Sequence, residues 1–130
     1  MSKAQSPIEI VRTFLLAMEK MDMDAGVKYI ADQCEYTNPA PIGTVYGPAG
    51  VRAVLGPFSA PISENEFIIK REVADGPVVF VERLDRHRIA GNWVELPVNA
   101  VFEVHNGLIT VWHEYFDSAT LQNQITALSS

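Results

Sequence analysis

Cysteine is nearly missing from this sequence, basic residues are scarce, and no long hydrophobic run occurs. The single thiol, Cys34, cannot close an internal disulfide and lacks the paired spacing of a zinc or redox site; a disulfide scaffold is excluded and a reducing, cytoplasmic compartment is expected. Ten basic residues stand against 16 acidic ones. The resulting charge of −6 repels phosphate backbones and anionic lipid surfaces, so no nucleic-acid partner and no membrane partner is expected. No segment approaches the ~20 apolar residues of a membrane span, and Met1 to Gln5 lead into an interrupted apolar pattern instead of a signal-peptide core. A Gly-rich phosphate loop is missing as well. The three histidines, His87, His105 and His113, have no ligand spacing between them, so neither a metal nor an organic cofactor is expected.

What is present is a globular composition, 48% hydrophobic over 130 residues, with no repeat, low-complexity tract or linker to divide it. A single domain over 1–130 is expected. Ser6-Pro7-Ile8-Glu9 reads as a capping box with proline in the first turn, and Ile8, Val11, Phe14, Leu15 and Met18 follow at helical spacing. A short helix over 25–31 is expected to bury Val27 and Ile30, although Gly26 weakens it. Residues 34–38 read as a strand closed by the turn chemistry of Asn38-Pro39 and Pro41 to Gly43, and Gly47-Pro48 opens a third helix that Gly56-Pro57 stops.

From Glu66 onward the period becomes two. Segments 67–73, 78–89, 93–104 and 108–116 read as strands separated by Asp75-Gly76-Pro77, Ala90-Gly91-Asn92 and Asn106-Gly107, the last a strong hairpin signal. Pro97 inside a strand predicts an edge or a bulge there. Helices followed by a meander of long strands predict an α+β domain, a curved sheet wrapped around the N-terminal helices and enclosing a pocket. Phe80, Leu84, Val98 and Phe116 are assigned to the outward face of that sheet, and a homodimer is expected from them.

Strand parity also selects candidates for chemistry. Val79, Val81, Arg83, Asp85 and His87 share one face of their strand, and Ile109, Val111, His113, Tyr115 and Asp117 share a face of the last. If both faces look inward, one guanidinium sits between two carboxylates, Asp85 and Asp117. It neutralises only one of them, so the other tends to keep a proton, which sets an acid beside a base. Tyr36 and Asn38 share a face and together can hold a water molecule. Each has a plainer reading: a surface ion pair for Arg83 and Asp85, a helix cap for Asp117, a core tyrosine and a turn asparagine for Tyr36 and Asn38. Cys34 reads as a buried small hydrophobe, Trp93 and Trp112 as core or pocket wall, Arg86 and Arg88 as a solvated or interface-facing surface.

Tyr36-x-Asn38, Arg83-x-Asp85 in a long strand, and Asp117 after Trp112-His113-Glu114-Tyr115-Phe116 together resemble the active-site pattern of the limonene-1,2-epoxide hydrolase family, within the NTF2-like or SnoaL-like fold. The resemblance implies a cofactor-free homodimer acting on an epoxide and water in one step without a covalent intermediate. Carried over by position, it makes Asp117 the base, Tyr36 and Asn38 the groups that position the water, Asp85 the acid on the epoxide oxygen, and Arg83 the bridge. His87 and His113, on the faces of the catalytic groups, can alter pocket polarity. A SnoaL-like cyclase, a ketosteroid-isomerase-like enzyme and a non-catalytic small-molecule-binding module share the fold and are the alternatives.

Overall fold

A computed structural model describes residues 5–40 and 43–128; Pro41 of the expected turn lies outside them. Helix α1 (Pro7–Glu19) starts as its sequence dictates: the Ser6 hydroxyl accepts from the Glu9 amide, the Glu9 carboxylate accepts from the Ser6 amide, and Pro7 occupies the first turn. Its buried side is Ile10, Val11, Phe14 and Leu15. Helix α2 (Met23–Val27) is capped by Asp22 and is shorter than expected. Ile30 belongs instead to strand β1 (Ile30–Thr37), whose β-branched and aromatic residues pack into the sheet.

A three-residue strand β2 (Thr44–Tyr46), too short to show a period, precedes helix α3 (Gly47–Ser59). Gly47 is required at that junction, because its φ is +70° and a Cβ would stand 2.4 Å from the Asp32 carbonyl oxygen. The helix continues past Gly56-Pro57 to Ser59, since a proline this close to the end removes one hydrogen bond from a turn that is ending anyway.

Strands β3 (Ile62–Asp75), β4 (Val78–Ile89), β5 (Asn92–His105) and β6 (Leu108–Tyr115) form the expected meander, and helix α4 (Ser118–Ala127) closes the chain. The six-stranded sheet has the order β2-β1-β6-β5-β4-β3, with β1 and β6 parallel and every other pair antiparallel. It is curved and unclosed; α1 packs on β3 to β6, α3 on β1 and α4 on β5, while α2 packs against α1 and α3. Among the described residues no helix is long and apolar enough to cross a membrane.

The core sits between α1 and the sheet. Trp112 is stacked between Tyr36 and Phe102, and Phe14 of α1 meets its ring edge-on at 5.0 Å. A second cluster, Val94, Leu96, Val98 and Leu121, seats α4 against β5. Pro97 lies where β6 no longer pairs with β5, whose partnership with β6 begins at Asn99, so the expected edge position is a local one.

Two assignments of sheet faces are corrected. Val98 pairs with Arg83, so it faces inward with it, and Phe116 lines the interior as well. The second correction has a single cause: Glu103 faces Val111 while Val104 faces Ile109, leaving Thr110 as an extra residue, a β-bulge. Parity reverses across it. Ile109 is inward before the bulge, and Trp112 and Glu114 are inward after it, leaving His113 and Tyr115 on the other face.

Candidate active site

Arg83, Asp85 and His87 point inward from β4 because they alternate in register with Val79 and Val81, and all five are buried. Arg83 holds two carboxylates at once. Its Nε and Nη2 donate to Asp85 at 2.8 and 2.9 Å, and its Nη2 and Nη1 donate to Glu114 at 2.7 and 3.2 Å. Two bidentate pairs on one guanidinium hold the three groups edge to edge. The Phe67 ring lies 5.7 Å from the guanidinium carbon and excludes water from its face.

Burial alone would pull the guanidinium down, but Glu114 and Asp85 more than offset it and Arg83 stays charged. Burial pushes the Glu114 carboxyl above its usual range, with Asp85 adding repulsion and Arg83 opposing both. Three charges with a net of −1 in a buried cluster favour uptake of one proton. The Trp112 indole N–H favours the ionised form of Glu114 from close by, yet makes no full hydrogen bond.

Tyr36 and Asn38 meet as parity predicts: the Asn38 Nδ2 donates to the Tyr36 hydroxyl. Tyr36 is fully buried, and burial together with the charge of Glu114 pushes its phenol up, keeping it protonated. Asn38 lines the cavity and Tyr36 stands behind it. These groups open onto a cavity of about 380 Å³ whose other walls are mainly apolar, among them Leu15, Met18, Val54, Leu55, Phe58 and Phe116.

Asp117 does not join this cluster. Its carboxylate is exposed and is the N-cap of α4, accepting from the Ala119 amide at 3.1 Å and the Thr120 hydroxyl at 2.8 Å. The expected partner of Arg83 is therefore corrected from Asp117 to Glu114, and the bulge at Thr110 is the reason. Glu114 was missed by counting parity forward from Ile109. Counting from Trp112, the one aromatic of β6 large enough to anchor the core, would have found it.

His87 lines the cavity; His113 does not, and its Nε2 meets the Glu35 carboxylate at 2.7 Å on the opposite face of the sheet. Cys34 is buried and its thiol is pushed up to about 12 by burial, the state of a packed small side chain and not of a nucleophile. Trp93 faces outward with the Arg86 guanidinium 4.5 Å above its ring. Among the described residues no three His, Cys, Asp or Glu side chains are grouped to hold a metal ion.

Residues 5–127 match the limonene-1,2-epoxide hydrolase catalytic domain. The epoxide hydrolase EphG of Mycobacterium tuberculosis is 33% identical over 107 residues, spanning 82% of this chain and 70% of that protein. A solved M. tuberculosis epoxide hydrolase described as similar to the same family superposes with a TM-score of 0.78 at 30% identity, covering 95% of this chain and 94% of the other. The fold is shared at lower identity too: a protein from Shewanella denitrificans described as a SnoaL-like polyketide cyclase superposes at a TM-score of 0.83 with 15% identity, covering 93% and 97% of the two chains.

Proposed function

The chain belongs to the limonene-1,2-epoxide hydrolase family, and on that premise we propose that it opens a small, mainly apolar epoxide to a vicinal diol by one-step attack of water. The observation that carries this reading is the buried Arg83 clamp between two carboxylates at the wall of an apolar cavity. Opening an oxirane needs a proton on the departing oxygen and a base on the water in the same step, and the clamp holds both groups at fixed separation.

Glu114 is the base. It lies beside Tyr36, whose phenol feels its charge, and so beside Asn38; Asn38 and Glu114 hold the attacking water while Tyr36 positions Asn38. The burial that raises the proton affinity of Glu114 also makes it the stronger base. Asp85, across the guanidinium from Glu114, is assigned the acid's part towards the epoxide oxygen. Charge moves from Glu114 to Asp85 during the reaction, and Arg83 neutralises it at either end.

A SnoaL-like cyclase reading rests on the fold alone, and proton abstraction from carbon leaves the second carboxylate and the arginine without a task. We also infer a homodimer, built on the outward face of the sheet where Val73, Phe80 and Tyr115 are 63%, 53% and 47% exposed.

The test is incubation with limonene, cyclohexene and styrene oxides in ¹⁸O-labelled water. Diol carrying the label after a single turnover, with none in the protein, is the expected result. Label in the Glu114 or Asp85 carboxylate would instead establish an ester intermediate and overturn the one-step reaction; no diol from any epoxide would overturn the activity.

A further inference from the structure

The cavity has a second polar place that the Arg83, Asp85 and Glu114 cluster does not use. His87 follows Asp85 by two residues on the same face of β4, which sets it about 7 Å farther along the strand. It is 3% exposed and lines the cavity. Asn65, directly opposite in β3, lines the cavity too, and its Oδ1 lies 2.7 Å from His87 Nδ1. Phe58 and Phe67 meet the imidazole edge-to-face at 5.3 and 6.2 Å, so the ring cannot turn away.

One bond joins these two side chains, and neither His87 Nε2 nor the remaining amide atom of Asn65 has another partner among the described residues. Burial, with Arg83 nearby, outweighs the pull of Asp85 and keeps the imidazole neutral. If His87 Nδ1 donates to Asn65 Oδ1, His87 Nε2 is left as an acceptor and Asn65 Nδ2 as a donor. With the amide turned over, Asn65 Nδ2 donates to Nδ1, leaving His87 Nε2–H as a donor and Asn65 Oδ1 as an acceptor. Both arrangements present one donor and one acceptor to the cavity. A carboxylate or ketone only accepts and an ammonium only donates. A hydroxyl does both.

We propose that His87 and Asn65 form a hydroxyl subsite, and that the substrate is an epoxide bearing an alcohol at the end remote from the oxirane. The inference rests on the epoxide reading above and adds the substrate's second functional group. An entirely apolar substrate would strip water from the pair and leave it unpaired, which is where its disadvantage arises. A hydroxyl adjacent to the oxirane would not reach, given the separation along β4.

The experiment compares 5,6-epoxyhexan-1-ol, 1,2-epoxyhexane and glycidol as substrates of the wild-type chain, and repeats the comparison with Asn65→Leu and His87→Phe. Calorimetric binding of 5,6-epoxyhexan-1-ol is measured alongside. The expected result is a kcat/KM for 5,6-epoxyhexan-1-ol at least about tenfold above the other two, and a ratio to 1,2-epoxyhexane that falls toward one in both variants. Equal kcat/KM for the first two compounds in the wild-type protein would overturn the subsite and leave the epoxide reading standing. If no compound is opened but Asn65→Leu weakens binding of the epoxy-alcohol about tenfold or more, the subsite stands and the hydrolase reading falls. Absence of both turnover and binding overturns the inference as well.

Discussion

Tyr36 lies face to face on Trp112, with ring centroids 4.1 Å apart and planes 13° from parallel. The stack fixes the phenol without its hydroxyl, so the hydroxyl is free to hold Asn38. Tyr36→Phe should fold with an unchanged core and lose about tenfold in kcat with little change in KM, because Asn38 loses its acceptor but Glu114 still binds the water. Steady-state kinetics on any accepted epoxide check this; an unchanged kcat would remove Tyr36 from the machinery.

The two acidic residues of β6 and its end should separate cleanly. Glu114→Gln should lower turnover by ~10²- to 10⁴-fold, the range of a general base. Asp117→Ala should keep wild-type turnover and cost about 1 kcal/mol of stability, the effect of a lost N-cap. Paired kinetics and denaturant melts decide it; loss of turnover in Asp117→Ala with a full rate in Glu114→Gln would restore Asp117 as the base.

Arg83→Ala should be the most damaging single change in the cavity. Removing the guanidinium leaves two buried carboxylates facing each other, an expected loss of about 3–5 kcal/mol as well as of activity. Chemical denaturation measures the first quantity. A loss confined to activity, with the melt unchanged, would show that solvent reaches the cluster.

pH separates the two states of Glu114. As a base it works ionised, so kcat/KM should rise with pH through a value displaced above the ordinary glutamate near ~4.3. Stability runs the other way. Burial raises the folded pKa, so the native chain keeps a proton that the unfolded chain has released; that contribution is complete below the unfolded pKa and is lost as pH rises through the folded one. The stability of wild type relative to Glu114→Gln should therefore fall as pH rises from about 4 toward neutrality, as read from melts across that range. The opposite slope would mean that Arg83 dominates over burial.

The outward face of the sheet gives the last prediction. Phe80 stands 53% exposed beside Val73 and Val101, and Phe80→Lys should shift the species seen in sedimentation from dimer to monomer. A wild-type chain that sediments as a monomer at micromolar concentration would remove the homodimer.

The sequence made the long strands legible because Gly-containing turns separate β3 to β6 and because β4 and β5 alternate without a break, and it made α1 legible because Ser6, Pro7 and Glu9 each have a capping task. On β4 the same alternation placed Arg83 and Asp85 on the inner face correctly. It failed on β6, where Thr110 adds a residue that periodicity cannot see, since a bulge is set by pairing with β5 and not by composition. Short elements were hidden for a related reason: β2 has three residues, and the switch from α2 to β1 falls within Val27-Lys28-Tyr29-Ile30-Ala31, a short run whose apolar residues fit either a helix or a strand.

The bulge at Thr110 divides β6 into two phases of one strand. The segment before it is keyed to the core through Ile109, and the segment after it carries Glu114 into the cavity while His113 and Tyr115 face away. Insertion of one residue there would exchange the two sides of the strand's end and place the His113 imidazole where the carboxylate now stands, and deletion of one would place the Tyr115 phenol there. Substitutions on either side of the sheet leave that phase intact. The far side of β6 can thus be redesigned independently of the cavity, while its length is the quantity that cannot drift.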